Sequence, residues 1–323
     1  MKSRVLSLIT FQIVLWFWVF SPLAHGQQNT ELMKDREDLR VGISPLQQQA
    51  RDGDRSSQYL VGWSYMTGTG VSEDYREAAK WYRKSAARGF PDAEFALGYL
   101  YEQGKGVRRD YHQAALYYAA AAKHGHAMAK NNLGSLYEHG QGLRKDLHQA
   151  AYWYRAGADQ GDVTAQSNLA SLYFRGRGVA RDYSQAAVWF RAAAERGYAP
   201  ARENLAWMYY TGTGVSLDYS EAAKWVRAAA EDGYARAQLD LGYLYEQGKG
   251  VPLDYVTAYM WYKGAMDRGE QRASARLKSL SVLLTKEQIG TAAAAAANLP
   301  GSRSTIDNRL HPEAIGSPFI GRR

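Results

Sequence analysis

A 36-residue segment recurs six times in this chain without insertions. Each copy has a Gly-x-Gly pair, then Val or Leu, and an Asp three residues further on. The glycine pairs are Gly68/Gly70, Gly104/Gly106, Gly140/Gly142, Gly176/Gly178, Gly212/Gly214 and Gly248/Gly250. A repeat of this length is typical of solenoids, in which each unit stacks on its neighbours. The sequence therefore predicts an α-solenoid.

The second copy shows how one repeat folds. Leu97 and Leu100 belong to an apolar set spaced by three and four residues, which predicts a short amphipathic helix, helix A. Gly104 ends it, because glycine readily adopts the left-handed conformation of a helix C-terminus. Asp110 then caps the next helix, helix B, and Gln113 is placed to complete a capping box. We interpret the large aromatic position of helix B as core; it holds Trp81, Tyr117, Trp153, Trp189, Trp225 and Trp261.

The repeat register defines the predicted domains. The repeats are 57–92, 93–128, 129–164, 165–200, 201–236 and 237–272. Residues 273–298 are predicted to form a helical cap on the last repeat, as an open solenoid end requires. Residues 27–42 and 299–323 lack periodicity and are predicted to be a disordered linker and tail.

The first 26 residues predict export. Lys2 and Arg4 precede an apolar run, and small residues, Ala24 and Gly26, occupy the positions that a signal peptidase reads. We expect cleavage after Gly26 and a periplasmic or secreted mature chain. An uncleaved membrane anchor is the alternative, but the apolar run is shorter than the roughly 20 residues of a membrane-spanning helix. No stable membrane insertion is expected after cleavage.

Composition excludes several classes of function. The chain has no cysteine, so disulfides, thiolate metal sites and a cysteine nucleophile are excluded. The formal charge of +8 falls to +6 once Lys2 and Arg4 are removed. Such a modest excess does not indicate nucleic acid as a partner.

The repeated pattern of Leu-Gly-x-x-Tyr, Gly-x-Gly-Val-x-x-Asp, Ala-x-x-Trp-Tyr and a closing Gly resembles the Sel-1-like repeat, a relative of the tetratricopeptide repeat. The resemblance covers about residues 54–269, and it departs from the pattern at Ala170 and Ala206, where helix A has alanine for glycine. It implies a right-handed superhelix of helix pairs that serves as a scaffold or adaptor. Cysteine-rich exported members bind penicillin, a property that does not transfer to a chain without cysteine.

In the resembling class, helix A lines the concave face, which is our first candidate surface. The position before the helix A leucine holds Asn132, Asn168 and Asn204 in three consecutive repeats. An amide both donates and accepts hydrogen bonds, so this ladder could hold a peptide backbone. A solvated polar ladder or an inter-repeat hydrogen bond explains it equally well. Other concave candidates are Tyr99, Trp207, Tyr243, Glu102, Glu138 and Arg175.

A second candidate surface is a basic ridge on the turns of repeats two to four. It comprises Lys105, Arg108, Arg109, Arg144, Lys145, Arg175, Arg177 and Arg181. A positive ridge suits an acidic protein or an anionic envelope surface. Its alternative is a surface that only keeps the chain soluble.

No motif indicates catalysis or a cofactor. The Gly-x-Gly pairs follow helices and lack the remaining residues of a phosphate-binding loop. Five histidines, including His124 and His126, are spread over loops and helix starts and do not form a metal-binding pattern. We therefore predict a non-catalytic scaffold that binds a protein or peptide in the bacterial envelope. The alternatives are a secreted effector that binds a host protein, and a hydrolase acting on peptidoglycan or β-lactams.

Overall fold

The computed structural model describes residues 44–299, and in that range the secondary structure is entirely helical. The predicted signal peptide, the linker and all but the first residue of the predicted tail lie outside the described residues. The helices are α1 Ser44–Arg51, α2 Arg55–Thr67, α3 Tyr75–Ala86, α4 Pro91–Gln103, α5 Tyr111–Lys123, α6 Ala127–His139, α7 Leu147–Ala158, α8 Val163–Arg175, α9 Tyr183–Glu195, α10 Ala199–Thr211, α11 Tyr219–Glu231, α12 Ala235–Gln247, α13 Tyr255–Asp267, α14 Ala273–Ser281 and α15 Lys286–Ala297.

The helices alternate as the sequence predicts, which confirms an all-α repeat fold consistent with an α-solenoid. Helix A of the six repeats is α2, α4, α6, α8, α10 and α12, and helix B is α3, α5, α7, α9, α11 and α13. The cap geometry is also confirmed. Gly104 has a φ of +69° at the end of α4, and the Asp110 carboxylate accepts from the amides of His112 and Gln113 at 2.9 and 3.0 Å. The predicted capping box with Gln113 is wrong, because the Asp110 amide donates to the Tyr101 carbonyl at 2.9 Å instead. Thr285 and Gln288 form a complete capping box at α15.

The described chain forms two compact units, and each has its own core. Unit 1 contains residues 44–165 and 177–179, and unit 2 contains residues 166–176 and 180–299. The core of unit 1 includes Tyr82, Leu97 and Tyr118, all inaccessible to solvent. The core of unit 2 includes Leu241 and Tyr262. Both cores combine small alanines with larger apolar and aromatic side chains, as close helix packing requires.

The buried aromatic of helix B lies one residue beyond the position that the sequence analysis assigned to the core. Tyr82, Tyr118, Tyr154 and Tyr262 are fully buried. Of the six residues predicted as core, Trp261 is buried, whereas the other five are half-buried. The helix A glycine explains the difference. A Cβ at Gly98 would lie 2.5 Å from Cδ1 of Tyr118, so the ring occupies the space that glycine leaves open.

Whether helix A has glycine or alanine at this position correlates with whether helix B has a tyrosine at its buried position. Glycine at positions 62, 98, 134 and 242 faces a tyrosine. Ala170 and Ala206 correspond in the repeat register to Phe190 and Val226, which have no hydroxyl. The Tyr118, Tyr154 and Tyr262 hydroxyls donate to Glu102, Glu138 and Glu246 at 2.6, 2.9 and 2.5 Å.

Contacts between successive repeats explain two further residues that every repeat contains: the helix A tyrosine equivalent to Tyr101 and the second glycine of the Gly-x-Gly pair. The Arg83 and Arg227 guanidiniums donate to the hydroxyls of Tyr101 and Tyr245, one repeat later, at 3.2 and 2.9 Å. From repeat two onward, the second glycine of each pair lies against the start of the preceding helix B; a Cβ at Gly106, for example, would lie 2.2 Å from the Tyr75 carbonyl. The Gly-x-Gly turn is thus a point where one repeat meets the previous one.

Candidate binding surfaces

One position on helix A carries a half-buried side chain in every repeat. We call its occupants the A-face residues; they are Trp63, Tyr99, Ser135, Ser171, Trp207 and Tyr243. They lie one turn before the end of helix A. The Thr67 and Thr211 hydroxyls, four residues on, donate to the carbonyls of Trp63 and Trp207 at 2.9 Å. Three of the six were candidates from the sequence, and the aromatic Trp63 was missed.

The asparagine ladder is less accessible than the A-face residues. Asn168 and Asn204 are only 6% and 4% exposed, and Asn132 is half-buried. Asn132 is hydrogen-bonded to the Tyr118 hydroxyl of the preceding repeat, and its Oδ1 accepts from Asn131 Nδ2 at 3.2 Å. At Asn132 the structure therefore has the inter-repeat hydrogen bond that the sequence left open as one alternative.

The aromatic A-face residues contact other rings and cations. The Phe174 and Trp207 rings meet edge to face, with centroids 5.3 Å apart. The Lys105 ammonium lies 5.8 Å from the centroid of Tyr99, and the Arg276 guanidinium lies 5.5 Å from that of Tyr243. Burial raises the pKa of Tyr99 to about 12.

Glu102 and Glu138, also candidates for the concave face, turn mainly toward the interior. Each accepts the buried tyrosine hydroxyl of its own repeat, and Glu138 also faces the Arg177 guanidinium at 3.6 Å. At the position equivalent to Arg177, the preceding repeat has Gln141. Burial raises the pKa of Glu102, and the hydrogen bond from Tyr118 partly opposes this.

The raised pKa of Glu102 predicts a specific dependence of stability on pH. A carboxyl whose pKa is higher in the folded state takes up its proton on acidification before the unfolded chain does, so protonation stabilises the fold. The free energy of unfolding of the wild type should therefore increase relative to Glu102→Gln as pH falls through the folded pKa. The difference should level off below the unfolded value of about 4.3. Urea unfolding of both proteins from pH 7.5 to 4 measures it. A difference that is flat, or that shrinks on acidification, would refute the assignment.

The basic residues of unit 1 line two open clefts on successive turns. The larger, of about 890 Å³, is bordered by Tyr137, Arg144 and Lys145. The smaller, of about 660 Å³, is bordered by Tyr101, Arg108 and Arg109, one repeat earlier. The four basic side chains are exposed and have no ion pair within the part of the chain that the structure describes. The nearby Asp110 and Asp146 serve as helix caps.

The remaining members of the predicted ridge have different surroundings. Lys105 lies over tyrosine rings, and Arg177 faces Glu138. Arg175 and Arg181 belong to unit 2. Arg175 is half-buried at the end of α8, and Arg181 is exposed and lies 5.5 Å from the centroid of the Tyr183 ring, as Arg109 lies 5.7 Å from that of Tyr111. Among the ridge residues of unit 1, the exposed ones without an ion pair in residues 44–299 are therefore Arg108, Arg109, Arg144 and Lys145.

The histidines have identifiable local contacts. His124 Nδ1 lies 2.8 Å from the Glu94 carboxylate, and His126 Nδ1 accepts from the Ala129 amide while its ring stacks on Phe95. Within residues 44–299, no group of three or more His, Asp or Glu side chains is arranged to hold a metal ion. In the same range, no helix is long and apolar enough to cross a membrane.

Comparison with known proteins agrees with the repeat architecture. The Sel1 repeat family matches residues 55–90, 91–126, 127–162, 163–198, 199–234 and 235–269. The chain is similar to the crystal structure of c5321, a protective antigen of uropathogenic Escherichia coli with an SLR fold, at 32% identity and a TM-score of 0.73. That match covers 79% of this chain and only 56% of c5321.

A second similar structure is a Sel1 repeat protein from Oxalobacter formigenes. It has 29% identity and a TM-score of 0.65, and the match covers 75% of this chain and 98% of that one. No curated protein matches the chain in sequence. Six matched repeats in unbroken succession leave no doubt about the family: this chain is a member of the Sel1 repeat proteins.

Proposed function

We propose that this chain is an exported, non-catalytic scaffold that binds a protein partner through the A-face residues. Sel1 repeat proteins generally mediate protein–protein interaction and generally act as non-catalytic scaffolds. The observation that carries the proposal is the half-buried aromatic side chain at this position in four of the six repeats, at Trp63, Tyr99, Trp207 and Tyr243.

The physical argument concerns the kind of side chain and how far it is exposed. Trp and Tyr are among the residues that contribute most to the free energy of binding at protein interfaces, because each presents a large rigid ring with one polar atom. The A-face rings are anchored in helix A but keep an exposed part. Ser135 and Ser171 occupy the same position in the two middle repeats, so the repeat fold does not require an aromatic there. Because Asn168 and Asn204 are almost inaccessible, we expect the asparagine ladder to stabilise the packing of helix A and not to contact the partner.

Export rests on the amino-terminal sequence. The basic start, the apolar run and the small residues before Gln27 favour a cleaved signal peptide and a periplasmic or secreted mature chain. The mass of the purified mature protein tests this directly. A chain that begins at Gln27 supports export, and an intact Met1 in the membrane fraction argues against it.

The test of the binding proposal is in-cell crosslinking of the tagged full-length chain, followed by identification of the captured proteins. The variant replaces Trp63, Tyr99, Trp207 and Tyr243 with serine, the residue that repeats three and four carry. The matched control is Ser135→Ala with Ser171→Ala. We expect one partner to be captured by the wild type and the control and lost from the serine variant, with circular dichroism unchanged. Equal capture by all three proteins would refute the A-face proposal.

The part of the basic ridge that lies in unit 1, with Arg108, Arg109, Arg144 and Lys145 exposed, is a second candidate surface for partner binding. Its clefts and unpaired cations favour an acidic partner. The variant Arg108→Ser with Arg144→Ser copies Ser72 and Ser216 of repeats one and five. If the ridge binds the partner, this variant loses it, and capture by the wild type weakens as salt is raised. Capture from the culture medium would instead support a secreted effector.

A further inference from the structure

The two units contain matching surface patches related by a 144-residue offset in sequence. Residues 97–107 and 241–251 are identical, as are residues 67–72 and 211–216. The same three side chains come together in each unit: an A-face tyrosine and a lysine from the longer identical segments, and a second tyrosine from the start of a helix B. We call Tyr75, Tyr99 and Lys105 patch I, in unit 1. Tyr219, Tyr243 and Lys249 form patch II, in unit 2.

In patch I, a lysine ammonium lies over two aromatic rings. Lys105 Nζ is 5.2 Å from the ring centroid of Tyr75, at the start of α3, and 5.8 Å from that of Tyr99, on α4. Both distances are within the range of cation–π attraction. The Tyr75 hydroxyl is also hydrogen-bonded to Glu73. All three patch side chains are half-buried, so each keeps surface that a ligand can reach.

Patch II has the same three residues, but the two rings around its lysine ammonium are Tyr219 and an additional tyrosine, Tyr210. Lys249 Nζ is 5.1 Å from the ring centroid of Tyr219 and 4.7 Å from that of Tyr210, and it donates to the Tyr210 hydroxyl at 2.7 Å. The Tyr210 side chain is in turn hydrogen-bonded to Tyr243. Its counterpart in unit 1 is Met66. The three patch II side chains are half-buried, like those of patch I.

The equivalent positions elsewhere in the repeats do not hold this set. They are Tyr111, Ser135 and Gln141; Leu147, Ser171 and Arg177; and Tyr183, Trp207 and Thr213. The fold therefore tolerates serine in place of the A-face tyrosine and glutamine in place of the lysine. The 36-residue repeat pattern alone therefore does not require two tyrosines and a lysine together at these two places.

We infer that patches I and II are two equivalent binding sites, each for a short extended peptide that presents a carboxylate beside an aromatic or large apolar side chain. This rests on the proposed protein-binding function and specifies its ligand. The lysine ammonium, with three N–H donors, supplies a charge-assisted hydrogen bond to the carboxylate. The adjacent tyrosine rings cover the apolar side chain. One chain therefore binds two copies of the same peptide segment.

The experiment begins with selection of peptides from a phage-displayed library of random dodecapeptides on the full-length mature chain. The most enriched peptide is synthesised, and its stoichiometry is measured by isothermal titration calorimetry and native mass spectrometry. We expect enriched sequences to carry Asp or Glu within a few residues of an aromatic or large apolar residue, and two peptides to bind per chain.

Two variants assign the sites. Tyr99→Ser with Lys105→Gln, and Tyr243→Ser with Lys249→Gln, copy Ser135 and Gln141, and each should reduce the stoichiometry from two to one. Together they should abolish binding, whereas the control Ser135→Ala with Gln141→Ala should keep both sites. The single change Lys105→Gln, which leaves the packed ring in place, should weaken one site about tenfold.

Several results would overturn this inference. They are an absence of enriched peptides, enrichment without acidic residues, a single site, or two sites that survive both double variants. Binding of anionic oligosaccharides in place of peptides, lost from the same variants, would also overturn the ligand class. If the partner is still lost from the A-face serine variant while only one peptide binds, the scaffold function stands and the two-site inference fails.

Discussion

Gly142→Ala is expected to lower the free energy of unfolding by about 3–4 kcal/mol, from two separate costs. The residue has a φ of +68°, and a left-handed conformation costs an L-residue roughly 1–2 kcal/mol. In addition, the new Cβ would lie 2.2 Å from the carbonyl carbon of Tyr111 in the preceding repeat. Backbone atoms cannot move aside as a flexible side chain can, so we expect roughly 2 kcal/mol more for the overpacked contact.

Gly125→Ala is the matched control for this prediction. Gly125 also has a positive φ, of +92°, but a Cβ there meets no atom within 4 Å. The free energy of unfolding of Gly125→Ala should therefore fall only by the cost of the left-handed conformation, about 1–2 kcal/mol. Urea unfolding followed by circular dichroism compares the two variants. Equal losses would mean that the second glycine of the pair serves only its own turn and not the contact between repeats.

Gly98→Ala is expected to destabilise the chain by about 2 kcal/mol, although alanine is the better helix former. The new methyl group would lie 2.5 Å from Cδ1 of Tyr118. That ring cannot withdraw without losing its hydroxyl bond to Glu102.

The opposite result is expected for Gly290→Ala in α15, where a Cβ meets nothing within 4 Å. There the same change should stabilise the chain by about 0.5–1 kcal/mol.

The chain itself provides a rescue for Gly98→Ala. Repeat four has Ala170, Phe174 and Phe190 at the positions of Gly98, Glu102 and Tyr118. The triple variant Gly98→Ala, Glu102→Phe and Tyr118→Phe copies this set, and it should unfold at a higher urea concentration than Gly98→Ala alone. A triple variant that is less stable than the single one would show that the three positions are not coupled.

The local parts of the fold could be predicted because they depend on neighbouring residues. The Asp110 cap and the left-handed Gly104 follow from short-range geometry, and both are present. The choice between Trp81 and Tyr82 as the buried residue could not be predicted in this way. Adjacent residues on a helix point about 100° apart, and both fit the same broad apolar stripe. The gap left by Gly62 on the other helix decides which ring enters the core.

The candidate site could be predicted only in part, for a similar reason. Tyr99, Trp207 and Tyr243 were found because the repeat register places them on helix A. The low exposure of Asn168 and Asn204 could not be predicted, because it depends on how closely the neighbouring helices approach. Trp63 and Lys249 were missed although a signal existed: they correspond to Trp207 and Lys105 at the 144-residue offset that the identical segments define.

The most direct test of the proposed scaffold function is site-specific photocrosslinking in the cell. A photoreactive phenylalanine analogue replaces Tyr99 or Trp207 on the A-face, or Tyr152, which is 61% exposed on helix B. If the A-face binds the partner, the analogue at position 99 and at position 207 forms a covalent adduct with the same protein, and the analogue at position 152 forms none. An adduct formed only from position 152 would contradict the A-face proposal and would place the partner on the opposite helix of the repeat.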